Sequence, residues 1–344
     1  MPIFSHATLR LTISKSSPLL RGIFYFFSTL LLAILIAEIT ARSPLGERLP
    51  APSVQADSFL FDAKVYELER QVRRDGGIDC VFIGSSVTNS DIDPETVERV
   101  YREQTGEAIR CFNFGYPAMT IENAVAFTDA VITKFHPRLI IYTFLPRDLT
   151  DLTYNIDFLE ASPWFDAKSL TPRGWLMNHS YAYRYYQTWR YLLLTQNRAK
   201  RLAEIQRLTD KGFQPTFDIR KPYPETINLT EESLIQVWQL QGPRAGLEDI
   251  IARQKQGVRI LLVEGPIFHE PNSESLWQAY ETAYIPPLEQ FAEDAGVAFI
   301  RSQEVAVTVP REYWYDQLHF NYEGAITFSE WLGVALANHR DLFR

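Results

Sequence analysis

Two stretches of this 344-residue chain bring together side chains that could perform chemistry. The first is Phe82-Ile83-Gly84-Ser85-Ser86-Val87, where an apolar run ends on small residues. A strand-to-helix turn of this composition stands a hydroxyl at the end of the strand with backbone N–H groups beside it. A serine hydroxyl is a weak nucleophile until a neighbouring base takes its proton, and that base needs an orienting carboxylate. The second stretch, Asp316-Gln317-Leu318-His319, supplies both groups. Asp316 can hold one ring nitrogen of His319 and leave the other to face the serine. Taken singly, Gly-Ser-Ser reads better as a plain turn, and Asp316 with His319 as a surface pair before a helix. Their combination carries more weight, because only six histidines occur in the chain and His319 follows the last apolar run.

The elements that would position these groups follow from period and punctuation. Short apolar runs at 80–84, 108–114, 138–144, 258–263 and 297–300 have the character of buried strands. Amphipathic stretches at 94–103, with Asp93 as N-cap, and at 121–134, 247–256, 275–295 and 322–338 read as helices. Alternation of strand and helix implies a parallel sheet covered on both faces. In open sheets of this kind ligands bind beyond the carboxyl ends of the strands. The residues to watch are therefore those just after each run: Ser85 and Ser86, Gly115, Leu145 to Asp148, and Glu264.

Between Asp148 and about Glu232 the alternation stops, and Trp164, Trp175, Tyr181, Tyr183, Tyr185, Tyr186 and Trp189 crowd the chain. This segment, about 150–232, is expected as an insertion on the ligand side, with a helix over 184–202. Its aromatic side chains could stack on sugar rings; packing of a small subsidiary core is the favoured reading. Cys80 and Cys111 each lie four residues before a glycine, Gly84 and Gly115, which would set them level on neighbouring strands. Adjacent strands are an awkward geometry for a disulfide, so two buried thiols are expected over a bond. His269, with Glu264 and Glu270, could suggest a metal, but the spacing fits no ligand pattern well. No metal and no cofactor are expected.

Residues 22–39 are apolar apart from Ser28, Thr29 and Glu38, long enough to cross a bilayer. Arg10, Lys15 and Arg21 precede the run without any acidic residue, which orients residues 1–21 to the cytoplasm and the rest outward. A cleaved signal peptide is the alternative; the length of the run and the lack of an Ala-x-Ala site favour a membrane anchor over 22–41. Residues 42–56, rich in Pro, Ser and Gly, read as a linker to one domain over 57–344. Against 42 acidic side chains stand 34 basic ones, a net charge of −8, so nothing favours a nucleic-acid partner.

These residues resemble the ordered blocks of the SGNH or GDSL hydrolases, over roughly 79–338. Gly84-Ser85-Ser86-Val87 matches the first block and makes Ser86 the nucleophile; Asn113-Phe114-Gly115 matches the second; Asp316-Gln317-Leu318-His319, with Asn321 and Gly324 following, matches the last. The resemblance implies a flavodoxin-like three-layer α/β fold with a central parallel sheet. It also implies a Ser86, His319, Asp316 triad and an oxyanion hole built from the Ser86 and Gly115 amides. The third block departs: Leu145-Pro146-Arg147-Asp148 has Leu for Gly and Arg for Asn, leaving Arg147 as a candidate charged donor or as a partner of Asp148.

An outward-facing anchored chain with Leu-Pro-Arg-Asp and Thr171-Pro172-Arg173-Gly174-Trp175 is also similar to proteins of teichoic-acid D-alanyl transfer and of alginate and peptidoglycan O-acetylation. The expected activity is thus acyl-ester hydrolysis or O-acyl transfer on an envelope or exported polysaccharide, with a membrane-bound acyl-transfer partner. The expected place is the outer side of the cytoplasmic membrane, the periplasm in a Gram-negative cell. Two alternatives stand beside it: a catalytically silent member that binds polymer or scaffolds a membrane assembly, and metal chemistry at His269.

Overall fold

In the computed structural model, which describes residues 18–49, 59–149, 172–194, 198–216, 230–239, 241–269 and 274–344, the five apolar runs become five strands. These are β1 (Cys80–Gly84), β2 (Cys111–Asn113), β3 (Leu139–Phe144), β4 (Arg259–Glu264) and β5 (Ala298–Ile300). All pair in parallel, in the order β2-β1-β3-β4-β5. That is the flavodoxin-like order, whose direction reverses between β1 and β3. The expected fold class is the one observed.

Alternate strand residues feed two separate cores, as the period of two requires. Val81, Ile83, Ile140, Tyr142, Ile260 and Leu262 point to one face, covered by α2 (Phe59–Asp75), α5 (Ile121–Phe135), α10 (Gln241–Ala252) and α12 (Ile285–Asp294). Phe82, Ile141, Leu261 and Val263 point to the other, covered by α4 (Pro94–Thr105) and α14 (Tyr322–Asn338). Helix α4 starts where expected: the Asp93 carboxylate accepts from the N–H groups of Glu95 and Thr96 at 3.3 and 3.1 Å, satisfying donors that open any helix.

Some elements depart from expectation. The stretch expected as one helix over 275–295 is α11 (Glu274–Ala279), a π-helical turn at Tyr280–Tyr284, and then α12. Pro286 and Pro287 have no N–H to return to the preceding turn, which breaks the α-helical ladder there. The helix expected at 184–202 is α7 (Tyr181–Leu194) followed by α8 (Arg198–Gln206), with α6 (Pro172–His179) just before. Short helices α3 (Ser86–Asp91), α9 (Glu231–Val237) and α13 (Gln303–Ala306) complete the described set.

Cys80 and Cys111 form a disulfide rather than two thiols. The register explains the correction: the two residues pair directly across β1 and β2 with Cα atoms 4.6 Å apart, within the span a disulfide bridges. The bond closes a separation of 31 residues, so reduction is expected to cost about 3–4 kcal/mol. Urea midpoints with and without reductant measure this, and thiol titration of the unreduced chain should find no reactive cysteine. Equal midpoints together with two reactive thiols would contradict the bond.

Helix α1 (Pro18–Arg42) is long and apolar enough to cross a membrane, and its large apolar side chains are exposed. Its last turn is bound to the insertion. Glu38 accepts from Ser180 Oγ at 2.8 Å and from the N–H groups of Tyr181 and Ala182 at 3.0 Å, which caps α7. Arg42 donates to the His179 carbonyl at 2.6 Å and lies over the Tyr181 ring. Ala41, Ala63, Tyr66, Tyr181, Tyr185, Leu192 and Ile205 form a small third core around this junction. Two of the insertion's aromatic residues, Tyr181 and Tyr185, thus pack as expected, whereas Trp175, Tyr186 and Trp189 are exposed; Trp164 lies outside the described residues. Of the expected linker, residues 43–49 turn back at Gly46–Arg48, where the Gly46 carbonyl accepts from Tyr185 Oη at 2.9 Å. Residues 50–56 lie outside the described residues.

Candidate active site

The site forms where the sheet order reverses. Strand β1 delivers Gly84, whose added Cβ would stand 2.1 Å from the Thr143 carbonyl oxygen of β3. Only glycine permits that approach, and it sets Ser85 and Ser86 at the lip of the sheet. Ser86 opens α3, so its N–H has no acceptor in a preceding helical turn. Strand β5 leads through residues 301–315 to Asp316 and His319, and the chain then enters α14 with Asn321 as N-cap, its Oδ1 accepting from the Gly324 N–H at 3.2 Å.

The three residues singled out from sequence meet. His319 Nε2 lies 2.7 Å from Ser86 Oγ. His319 Nδ1 lies 2.9 Å from both carboxylate oxygens of Asp316. Ionised carboxylate oxygens only accept, so Nδ1 carries the ring proton and Nε2 is left as the acceptor for the serine hydroxyl. The backbone N–H groups of Leu318 and His319 donate to Asp316 Oδ1 at 2.8 and 2.9 Å. Burial pushes the Asp316 carboxyl up; the hydrogen bond and charge of His319 with those two N–H groups outweigh it and hold the group below its usual value.

Ser85 stands apart from this chain of bonds. Its hydroxyl is buried and donates to Asp148 Oδ2 at 2.9 Å, and the Leu145 N–H donates to the same oxygen at 3.0 Å. Arg147 pairs with the other Asp148 oxygen at 3.8 Å. Burial raises the Asp148 carboxyl from 3.8 to about 6, against the Leu145 N–H, the charge of Arg147, the Ser85 hydroxyl and His319.

That shift has a measurable sign. Unfolded chain releases this proton near 3.8 and folded chain near 6, so stability from this group is complete below the lower value and is lost as pH rises through the upper one. Two pKa units correspond to about 3 kcal/mol. Asp148→Asn, neutral throughout and able to keep the Leu145 bond, is expected to flatten the fall in urea midpoint between about pH 4 and pH 7. Parallel profiles for the two chains would contradict this origin.

Gly115 and Arg147 fit the expected oxyanion roles less directly than Ser86. The Gly115 N–H donates to Asn113 Oδ1 at 2.9 Å, so it must exchange that partner to reach an oxyanion. Gly115 is nonetheless required here, because an added Cβ would stand 2.5 Å from the Asn89 nitrogen of α3. Lys64, which sequence reasoning passed over, lies beneath this loop. It is buried on α2 and donates to the Gly115 carbonyl at 2.6 Å and to Asn113 Oδ1 at 3.3 Å; burial pushes its ammonium well below the usual lysine value. Asp91, also unanticipated, is buried under the second half of the site and accepts from the Phe320 N–H at 3.2 Å. Burial, with the charge of Asp316 adding to it, raises its carboxyl well above the usual value.

The metal alternative finds no support among the described residues, which contain no cluster of three His, Cys, Asp or Glu side chains able to hold an ion. Glu264 is buried and accepts from Tyr280 Oη and from the Ser302 and Gln303 N–H groups. The His269 ring lies against Trp277. Glu270 lies outside the described residues.

No protein-family model matches the chain, and no curated protein does. Among solved structures it is similar to an alpha/beta hydrolase from the metagenome of Lake Arreo, Spain. That match has 15% identity and TM-score 0.42, covering 76% of this chain and 95% of the other. It is similar also to a catalytic mutant of an acetylxylan esterase from Geobacillus stearothermophilus, at 13% identity and TM-score 0.41, covering 77% and 94%. A third is a lipase/acylhydrolase from Enterococcus faecalis, at 14% identity and TM-score 0.36, covering 76% and 95%. Five parallel strands in the order β2-β1-β3-β4-β5 with helices on both faces give the chain a flavodoxin-like three-layer α/β fold.

Proposed function

We propose that this chain is a serine-dependent acyl-ester hydrolase or O-acyltransferase, anchored by α1 and acting outside the cytoplasmic membrane on an envelope or exported polysaccharide. The observation that carries the reading is the unbroken path from Ser86 Oγ through the His319 ring to Asp316, with every step at 2.7 to 2.9 Å. Ser86 attacks the ester carbonyl as His319 Nε2 takes its proton, and the imidazolium so formed is stabilised by Asp316. The Ser86 N–H receives the developing oxyanion, joined by Gly115 once its N–H leaves Asn113. Arg147 is the candidate third donor. His319 then returns the proton to the leaving alkoxide, and the acyl group stays on Ser86. Water activated by His319 completes hydrolysis; a sugar hydroxyl in its place completes transfer.

Three features support the outward location: the apolar α1, the basic residues that precede it, and a disulfide of the kind that persists in oxidising compartments. A membrane-bound partner delivering the acyl group fits the transferase branch. One observation favours a silent polymer-binding role instead, namely that the Gly115 N–H is already spent on Asn113.

Fluorophosphonate labelling of the detergent-solubilised full chain separates the two. Labelling is expected in wild type and in Ser85→Ala, and is expected to vanish in Ser86→Ala and His319→Ala. A folded wild type that takes no label, or a Ser86→Ala variant that still does, would overturn the catalytic reading.

A further inference from the structure

We propose that the outer face of α6 and α7 is a membrane-docking surface that seats the domain on the anionic lipid bilayer crossed by its own anchor. The proposal rests on the reading of α1 as a membrane span, and it adds a second, peripheral contact to it.

The exposed apolar side chains are concentrated here. Outside α1 and the turn that follows it, nine large apolar side chains are exposed among the described residues, and five of them fall within residues 172–194. These are Trp175, Tyr186, Trp189, Leu193 and Leu194, exposed by 49 to 75%. Tyr186, Trp189 and Leu193 recur at helical spacing and form one stripe along α7. A second stripe, Tyr181, Arg184, Tyr185, Thr188 and Leu192, is buried against the domain. Helix α7 therefore lies flat on the protein with a Trp, Tyr and Leu face outward. Tryptophan and tyrosine are the side chains that prefer the boundary between lipid and water.

Charge points to the same occupant. Residues 172–203 contain Arg173, Arg184, Arg190, Arg198, Lys200 and Arg201 and no Asp or Glu, in a chain whose net charge is −8. Arg173, Arg190, Arg198 and Lys200 are exposed. Basic residues interleaved with exposed aromatic and aliphatic ones characterise a helix lying in the headgroup layer of an anionic membrane.

Position brings the junction of α6 and α7 to the bilayer surface once α1 is inserted. The apolar run ends at Ile39, and the last turn of α1 is bound by Glu38 and Arg42 to residues 179–182, the junction of α6 and α7. The junction thus sits at the level of the membrane surface. From there α7, with 14 residues, extends about 21 Å. A later part of the insertion reaches the catalytic helix, where the Gln214 N–H donates to the Asn89 carbonyl at 3.1 Å. Docking at α7 would accordingly fix the height of Ser86 above the lipid.

Tryptophan emission tests this with the full chain, because α1 contains no tryptophan. The protein is reconstituted into vesicles of phosphatidylcholine and phosphatidylglycerol carrying brominated acyl chains, and flotation first confirms insertion. Bromolipid is expected to quench part of the emission, and Trp175→Phe/Trp189→Phe is expected to lose most of that quenching with an unchanged circular dichroism spectrum. Leu193→Glu/Leu194→Glu should also lower quenching while flotation persists. A chain that floats but shows no quenching, or equal quenching in the double Phe variant, has this face turned to a protein, a polymer or water, which overturns the docking while leaving the span intact. A chain that does not float loses both. Equal quenching in pure phosphatidylcholine would overturn the requirement for anionic lipid.

Discussion

Ser86→Ala is expected to lower turnover of an activated acetyl ester by about 10⁶-fold, with the fold and substrate binding retained. The expectation follows from two hydroxyls with different partners. Ser86 Oγ meets His319 Nε2 at 2.7 Å, whereas Ser85 Oγ is buried against Asp148. A base can remove a proton only from the hydroxyl it touches, so the loss must be confined to one of two adjacent serines. His319→Ala should cost about as much, and the double variant little more, because nucleophile and base act as a unit. Turnover of p-nitrophenyl acetate by purified variants measures all three. A Ser86→Ala chain within about tenfold of wild type would show that hydrolysis proceeds without the triad, since a positioned nucleophile and base contribute far more than that.

How far the site was readable depends on what each residue must do locally. Gly84-Ser85-Ser86 stands out because it ends an apolar run, and Asp316 with His319 because they lie three apart after the last one; the choice of Ser86 over Ser85 rests on the resemblance to the SGNH hydrolases. The five strands are visible because buried parallel strands are apolar on both faces. Equal spacing of Cys80 to Gly84 and Cys111 to Gly115 even implies the register observed between β1 and β2. Whether the two sulfurs bond is a matter of Cα separation, which spacing does not contain. Helix α2 was invisible for a different reason: Phe61 to Tyr66 are all buried, including Asp62 and Lys64. A segment buried all round and carrying charges shows no amphipathic period. Lys64 illustrates the point, because lysine is almost never fully buried; only the fold reveals that it supports the Gly115 loop. The insertion gave up its composition but not its faces, since Tyr185 and Tyr186 are adjacent in sequence and opposite in burial.

Asp316→Asn is expected to reduce turnover by about 10⁴-fold while leaving the site assembled. Both backbone N–H groups of Leu318 and His319 point at Asp316 Oδ1, so the asparagine carbonyl oxygen takes that place and its amide nitrogen replaces Oδ2. Both oxygens lie 2.9 Å from His319 Nδ1, but Oδ1 already accepts from two backbone N–H groups, which leaves Oδ2 as the ring's fuller partner. The substitution therefore sets an N–H donor against a ring nitrogen that carries a proton, and the ring relieves the conflict by moving the proton to Nε2. With Nε2 protonated, Ser86 loses its acceptor, and the imidazolium formed during attack loses its counter-charge. Asp148→Asn is the matched control, because Asp148 contacts Ser85 and Leu145 rather than the His319 ring, and it should leave turnover near wild type. Steady-state kinetics on the two variants distinguish the carboxylates: a large loss in kcat for Asp316→Asn alone assigns orientation of the base to Asp316. Comparable losses in both would mean that Asp148, through Ser85 and the turn before Ser86, shares in holding the nucleophile.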